Sequence, residues 1–181
     1  MPMKTNKVLC WSACIVLSVA AFAIFEIRID GSILGRLWQA IRGHQVSYAG
    51  LRITLPNGWL ALYPSNDLML LHLAGDHTAR IVLMTTLMND PKRWAELKSS
   101  WIESRNAKFE SEGYEVVATP AFSIADESPT CLSFAMKSNH AKREIVCAIN
   151  DGHVLVVFSG RENDVESFVF AMTSVRPSKV Q

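Results

Sequence analysis

The sequence predicts an α+β domain in which helices pack on an antiparallel β-sheet, in the manner of an α/β/α sandwich, behind an N-terminal transmembrane helix. Three observations support this fold class. Residues 8–25 are apolar and uncharged, short segments of alternating apolar and polar residues recur between turn residues, and two longer segments have apolar residues at helical spacing. Because the strands occur in runs and do not alternate one by one with helices, we expect an antiparallel sheet.

Residues 1–7 form a short basic leader with Lys4 and Lys7, and residues 8–25 (VLCWSACIVLSVAAFAIF) form the predicted transmembrane helix. At about 1.5 Å per residue the run is about 27 Å long, close to the hydrocarbon thickness of a bilayer. A cleaved signal peptide is the alternative, since residues 21–23 (AFA) resemble a cleavage site. The apolar run continues past that tripeptide, which favours a retained signal anchor.

The basic leader and the long segment after the run predict a single-pass inner-membrane protein. Its N-terminus is then cytoplasmic and its C-terminal domain periplasmic or extracellular. One helical face of the run carries small side chains, which let two transmembrane helices approach closely. We expect this face to pack on a membrane partner or on a second copy, although small residues are also simply common in such helices. The face consists of Cys10, Cys14, Ser18 and Ala21.

Residues 26–46 form a juxtamembrane segment that contains a short amphipathic helix. Ser32 is placed as its N-cap and Gly43 as its C-terminal stop, with Trp38 on the apolar stripe between them. Such a helix lies either at the membrane interface or against its own domain, and the pattern fits both equally.

Residues 47–181 form the extracytoplasmic domain, whose predicted strands are separated by turn residues. Pro56-Asn57-Gly58 predicts a tight turn between two strands, and Asp151-Gly152 is the strongest hairpin signal in the chain, because glycine adopts positive φ at low cost. The predicted strands are residues 51–55, 59–63, 68–74, 80–88, 114–118, 131–137, 143–149 and 153–159.

Two helices are predicted in the domain. Asp90 and Pro91 begin the longer one as N-cap and first residue, and Gly113 ends it. Its apolar stripe, which we expect to lie on the sheet, is Trp94, Leu97, Trp101, Ile102 and Phe109. A capping box at residues 159–162 is predicted to begin the second helix, which ends before Pro177.

Cys131 and Cys147 are the two cysteines of the domain. If residues 138–140 are the centre of a hairpin, these two cysteines lie opposite each other on adjacent strands. In an oxidising compartment such an even pair is a candidate disulfide. Two buried free cysteines are the alternative.

One stretch carries a family resemblance. Residues 48–59 (YAGLRITLPNGW) resemble the opening of the PsbP-like and DcrB-like α/β domains, with an extended strand, Leu-Pro, a small turn and Gly-Trp. Residues 154–176 are similar to the last strand and helix of those domains, so the likeness covers about residues 48–177. It implies an antiparallel sheet sandwiched by helices in a non-enzymatic module that binds or helps to assemble other proteins. It assigns no functional residues.

Candidate chemistry is sparse in this sequence. His72, Asp76 and His77 place two imidazoles and a carboxylate near one turn, which suggests a metal site for a periplasmic hydrolase or another metal-dependent enzyme. Their spacing matches no established ligand pattern, so a solvated turn is the favoured interpretation. The chain also lacks a G-x-S-x-G motif and a Gly-rich phosphate loop. We therefore expect no catalytic residues, no cofactor and no metal.

The charge balance and the anchor together suggest a class of function. The chain has 18 basic and 17 acidic residues, which gives no electrostatic footprint for nucleic acid. We expect a membrane-anchored, non-catalytic interaction or assembly module of a cell-envelope complex. Its partner is expected to be another envelope or membrane protein, or a second copy. A small-ligand carrier with a pocket lined by Trp59, Trp94 and Trp101 is a further alternative.

Overall fold

The computed structural model describes residues 43–65, 67–73, 76–88, 90–124 and 128–178, together with Gln39 and Ile41, and for residues 63–65 and 76–78 it describes the backbone alone. The predicted anchor at residues 8–25, including Cys10, Cys14, Ser18 and Ala21, lies outside the described residues. So does most of the predicted helix at residues 32–43. Neither helix in the described part of the chain is long and apolar enough to cross a bilayer.

The described residues form ten strands, two α-helices and one 3-10 helix. In chain order the elements are β1 (Gln45–Tyr48), β2 (Leu51–Thr54), β3 (Trp59–Ser65), β4 (Leu68–Leu73), β5 (Asp76–Thr85), α1 (Pro91–Ser111), β6 (Tyr114–Val117), β7 (Thr130–Met136), β8 (Asn139–Ile149), β9 (Val154–Arg161), the 3-10 helix (Glu162–Asp164), α2 (Val165–Thr173) and β10 (Arg176–Pro177). The predicted α+β fold with antiparallel sheets and few helices is confirmed.

The strands form two sheets. The larger has seven strands in the order β3-β4-β5-β9-β8-β7-β6, and every neighbouring pair is antiparallel. The smaller has three strands in the order β1-β2-β10. Strand β1 begins at Gln45 and therefore spans the predicted boundary between residues 46 and 47.

One face of the large sheet packs against α2 and the small sheet, and this layer holds the main core. Phe168 of α2 is fully buried, and its ring centroid lies 5.2 Å from that of Phe158 on β9. Ile53 of β2 is also fully buried in the same cluster, as is Trp59 at 1% exposure. The C-terminal cap of α2 joins this helix to the small sheet, since the Ser174 hydroxyl accepts a hydrogen bond from the Thr54 backbone N–H at 2.8 Å.

The other face of the large sheet carries α1 and a second, smaller core. Phe109 of α1 stacks on Phe134 of β7 with ring centroids 4.1 Å apart, and Tyr114 packs edge-on against Phe109 at 5.4 Å. Val146 of β8 completes this cluster. Both faces of β7 and β8 are thus covered.

The predicted helix caps and turns of α1 and of the β8–β9 hairpin are confirmed. The Asp90 side chain accepts a hydrogen bond from the Lys92 backbone N–H at 3.0 Å, and Gly113 follows α1 with φ at +85°. In the β8–β9 turn Asn150, Asp151 and Gly152 all have positive φ, at 51°, 52° and 80°. That turn sets the register of the hairpin.

The predicted turn at Pro56–Gly58 lies between β2 and β3, and the chain crosses there from the small sheet to the large sheet. Two local predictions were wrong. Leu97 is 39% exposed rather than packed on the sheet. The capping box lies two residues later than predicted: β9 continues to Arg161, whose backbone N–H donates to the Asp164 carboxylate at 3.0 Å.

Candidate functional site

A line of polar residues crosses four neighbouring strands on the α1 side of the large sheet, and we call it the polar row. The strand register places His72 of β4 opposite Arg80 of β5, Arg80 opposite Ser159 of β9, and Ser159 opposite Glu144 of β8. Directly opposite residues share a face of a sheet, so these four side chains lie side by side. His72 and Ser159 are buried, whereas Arg80 is exposed.

Glu144 is the partly buried acid of the polar row. The Ser159 hydroxyl donates a hydrogen bond to its Oε1 at 2.7 Å. Burial is the largest influence and raises the pKa of the Glu144 carboxyl. The Ser159 hydrogen bond and the charges of Lys142 and Arg80 act in the opposite direction and only partly offset burial. The net effect is a carboxyl that keeps its proton to a higher pH than an exposed glutamate.

Cationic side chains border Glu144 on the same face. Lys142 lies opposite Arg161 across β8 and β9, and its Nζ lies 5.6 Å from the centroid of the Tyr114 ring. A hydrogen bond with Tyr114 raises the pKa of Lys142, with a smaller contribution from Glu144. Together with the exposed Arg80, these residues make a surface of mixed charge around the partly buried Glu144 carboxyl.

Replacing Glu144 with glutamine is expected to remove part of the pH dependence of stability. The folded-state pKa lies above the reference value of 4.5, so between these two pH values the folded chain holds a proton that the unfolded chain has released. The free energy of unfolding of the wild type therefore falls as the pH rises from 4.5 through the raised pKa. Glutamine does not ionise, so the variant loses this fall.

Urea unfolding of both proteins at a series of pH values from about 4 to about 8 measures this difference. Glu103→Gln removes one charge from an exposed position of α1 and serves as the control. Stability curves for wild type and Glu144→Gln that run parallel over this pH range would contradict the prediction.

The two domain cysteines lie on β7 and on β8, the strand that carries Glu144, and face the opposite side of the sheet from the polar row. Cys131 and Cys147 are directly opposite each other on β7 and β8, as predicted, and their Sγ atoms are 2.07 Å apart, at disulfide distance. Cys147 is fully buried in the main core, and Cys131 packs against that core. A bond here joins two strands that already pair in the sheet.

A cavity of about 260 Å³ lies between the start of α1 and the end of β8. Trp94 and Lys98 of α1 line one side of it, Ile124 and Pro129 the second, and Asp151 of the β8–β9 turn the third. The aromatic ring, the aliphatic groups and the two opposite charges suit a small amphipathic molecule.

Gly152 fixes the position of the Trp94 ring beside this cavity. A Cβ atom added at residue 152 would lie 2.6 Å from Cε3 of Trp94, and the backbone there has φ at +80°. Gly152→Ala is therefore expected to lower the free energy of unfolding on the order of 2 kcal/mol, from overpacking combined with backbone strain.

Gly113→Ala is the matched control for Gly152→Ala. Its φ is +85°, but no atom lies within 4 Å of the added Cβ, so only the strain of about 1 kcal/mol applies. Chemical denaturation gives both values, and near-ultraviolet circular dichroism reports the displaced indole. Equal losses for the two variants would show that Trp94 does not pack on Gly152.

The structure describes part of the candidate metal site and separates Trp59 from the other two candidate pocket tryptophans. His72 is buried in β4, while the side chains of Asp76 and His77 lie outside the described residues, so the metal-site alternative stays a prediction. Within the described part of the chain no group of three or more His, Cys, Asp or Glu side chains is placed to hold a metal ion. Of the tryptophans, Trp94 lines the cavity, and the ring centroid of Trp101 lies 5.6 Å from that of Trp94. Trp59 lies in the main core.

Sequence reasoning missed Glu144 and Ser159. The signal was present, because the Asp151-Gly152 turn places residue 144 opposite residue 159 in a regular hairpin. The predicted strand 153–159 includes Ser159, but the interpretation of this residue as a helix cap draws attention away from its pairing with Glu144.

Comparisons with known proteins give similarity of structure alone. No protein family model matches the chain, and no curated protein matches it. The solution structure of cyanobacterial PsbP (CyanoP) from Synechocystis sp. PCC 6803 is similar with a TM-score of 0.45 and 14% identity, over 74% of this chain and 91% of that one. A crystal structure from Bacteroides thetaiotaomicron VPI-5482 is similar with a TM-score of 0.42 and 9% identity, over 76% of this chain. The alignment covers 49% of the Bacteroides protein, so the chain spans about half the length of that protein.

Proposed function

We propose that this protein is a membrane-anchored, extracytoplasmic interaction or assembly module of a cell-envelope complex. Residues 8–25 hold it in the inner membrane as a single-pass anchor, with Lys4 and Lys7 on the cytoplasmic side and the α+β domain in the periplasm or outside the cell. Its partner is another envelope or membrane protein, or a second copy. No catalytic residue is assigned.

The observation that carries this proposal is the Cys131–Cys147 pair. Its directly opposite positions on two paired strands suit a disulfide, and disulfides persist in oxidising compartments such as the periplasm. An extracytoplasmic domain behind an uncharged apolar run is the arrangement that agrees with both features.

The surface around the polar row supports an interaction role. Arg80 and Arg161 are exposed on the same face as Lys142 and the partly buried Glu144. Clustered charges of this kind orient a protein partner and exclude partners of the wrong charge more than they add affinity. The resemblance of residues 48–59 to PsbP-like and DcrB-like domains supports the same role and a proposed kinship with those families.

The full-length chain purified in mild detergent tests the proposal. We expect it to migrate as part of a complex larger than the monomer after chemical crosslinking in intact cells. In a membrane two-hybrid assay, Cys14→Leu with Ser18→Leu is expected to weaken association, while Val16→Leu with Ala20→Leu on the opposite helical face leaves it unchanged. If the chain always migrates as a monomer after crosslinking in cells, the assembly role is wrong.

A small-ligand carrier is the second candidate, and the cavity beside Trp94 favours it. Native mass spectrometry of the purified protein tests this function directly. A bound small molecule that is released by Trp94→Ala, and retained by Trp101→Ala, would place the ligand in this cavity. If several preparations all give the mass of the chain alone, the carrier function is wrong.

A further inference from the structure

Strand β6 is an outer strand of the large sheet, and its free edge is accessible. No strand pairs with its outer side in the described part of the sheet, and Val116 at its centre is 61% exposed. The Lys137 backbone N–H donates to the Gly113 carbonyl at 3.0 Å, so residues 113 and 137 form a hydrogen-bonded pair. This pair sets which of the following residues of β6 are hydrogen-bonded to β7. Because hydrogen-bonded pairs alternate in antiparallel sheets, the backbone groups of Tyr114 and Val116 point away from β7.

A hollow of about 200 Å³ lies next to this edge, between the second half of α1 and the sheet. Asn106 and Glu110 of α1 line its upper side, and Tyr114, Val116 and Phe134 line its floor. A strand that paired with β6 would place every second side chain on the same face as Tyr114 and Val116. One such side chain would therefore enter the hollow.

Two side chains of α1 supply hydrogen-bond acceptors at the hollow, Asn106 and Glu110. Asn106 Oδ1 is buried and has no hydrogen-bond partner, which is costly for a carbonyl oxygen. Glu110 of α1 lines the same space, whereas the Glu115 side chain lies on the opposite face of β6, with its carboxylate 3.2 Å from the His140 ring. Lys137 supplies one positive charge among the lining residues. A side chain with an aliphatic stem and a cationic end would pack its stem on Val116 and donate to these acceptors.

We propose that the β6 edge binds an extended peptide segment of a protein partner by strand addition, with one lysine or arginine side chain of that segment in the hollow between α1 and β6. The backbone groups of Tyr114 and Val116 supply the hydrogen bonds of the new ladder, and the hollow supplies the specificity. This inference rests on the proposed role as an interaction module and names the chemistry of its partner.

A second copy of this chain is a poorer occupant than a basic peptide. Two β6 strands that paired antiparallel about Glu115 would bring like carboxylates face to face, which is destabilising. Such pairing would also put no cation opposite Asn106 or Glu110. Charge complementarity thus favours a different chain with a basic residue at an alternating position.

Binding of a designed peptide to the full-length protein in detergent tests the proposal. The probe is a fluorescently labelled, acetylated heptapeptide of alternating threonine and valine with a central lysine, and its comparison peptide carries glutamate at the centre. Fluorescence anisotropy is expected to show binding of the lysine peptide at least tenfold tighter than that of the glutamate peptide. Absence of binding, or equal binding of the two peptides, would overturn the proposal.

Two variants locate the site. Val116→Pro removes an outward N–H without removing a hydrogen bond within the sheet, and it is expected to weaken peptide binding at least tenfold, while Val116→Thr leaves it unchanged. Asn106→Leu removes the unpartnered acceptor and is expected to weaken binding of the lysine peptide by a similar factor, while Asn106→Asp retains it. Because Asn106→Leu leaves the strand intact, it keeps the test decisive even if Val116→Pro lowers the melting temperature. Unchanged binding by either variant would overturn the site.

The same variants separate this inference from the assembly role. If Val116→Pro still enters the crosslinked envelope complex of the wild type, the β6 site is wrong and the proposed function stands. If the wild type is monomeric in cells yet binds the lysine peptide, the site is supported and the assembly role falls. A wild-type dimer that Val116→Pro abolishes would identify a second copy as the occupant and overturn the peptide proposal.

Discussion

Replacing Phe168 with alanine is expected to lower the free energy of unfolding by about 4 kcal/mol. The Phe168 side chain is fully buried between α2 and the large sheet, with its ring centroid 5.2 Å from that of Phe158 and 5.6 Å from that of Phe122. Truncation removes these ring contacts and leaves a cavity. Alanine at this position also removes a fully buried side chain that packs α2 on the large sheet. The helix and the small sheet beside it therefore lose packing together.

Phe170→Ala is the matched control for Phe168→Ala. It lies two residues further along α2 and is 52% exposed, so its loss should cost less than about 0.5 kcal/mol. Equilibrium denaturation followed by tryptophan fluorescence gives both values, because Trp59 lies in the same core as Phe168. Similar losses for the two variants would contradict the packing of α2 described above.

Breaking the Cys131–Cys147 pair is expected to lower the free energy of unfolding by about 3 kcal/mol. The two residues are separated by 16 positions, and a link across a loop of that length restricts the unfolded chain by about this amount in the chain-entropy model. The replacement Cys131→Ala with Cys147→Ala also shortens two side chains in or against the main core. The stability that the wild type loses on reduction is therefore a lower bound for the stability that this double variant loses. Denaturant midpoints with and without reductant measure it.

Thiol labelling and the double variant supply the controls for this measurement. Labelling under denaturing, non-reducing conditions should leave Cys131 and Cys147 unmodified, while reduction exposes both. The Cys131→Ala, Cys147→Ala variant should show no further response to reductant. A wild-type midpoint that reductant does not move would show that the pair is not bonded in solution, and it would remove the main support for an oxidising compartment.

Local signals in the sequence were sufficient for much of the large sheet. Asp151-Gly152 located the β8–β9 turn because positive φ is demanded there, and the register of the β7–β8 hairpin brought Cys131 opposite Cys147. Asp90, Pro91 and Gly113 located the ends of α1 for the same kind of local reason. Each of these features is set by turn or cap residues that lie next to one another in the chain.

Features that depend on distant residues could not be predicted in this way. Strand β10 has two residues and exists because Arg176 and Pro177 meet β2 across the fold. The polar row is likewise formed by register between distant strands, since Arg80 and Ser159 become neighbours when β5 meets β9. Periodicity carries no information about which strands become neighbours, so the small sheet and the candidate site were both missed.

The pairing of β5 with β9 also has a consequence for the order of folding. The other neighbouring strands of the large sheet are consecutive in the chain, so β3 to β5 and β6 to β9 are two local meanders joined at one junction. During synthesis β3 to β5 leave the ribosome long before β9, so the edge of β5 that pairs with β9 stays unpaired throughout that interval. The middle of the sheet is thus completed last. We expect docking of the two meanders to limit the folding rate of the domain.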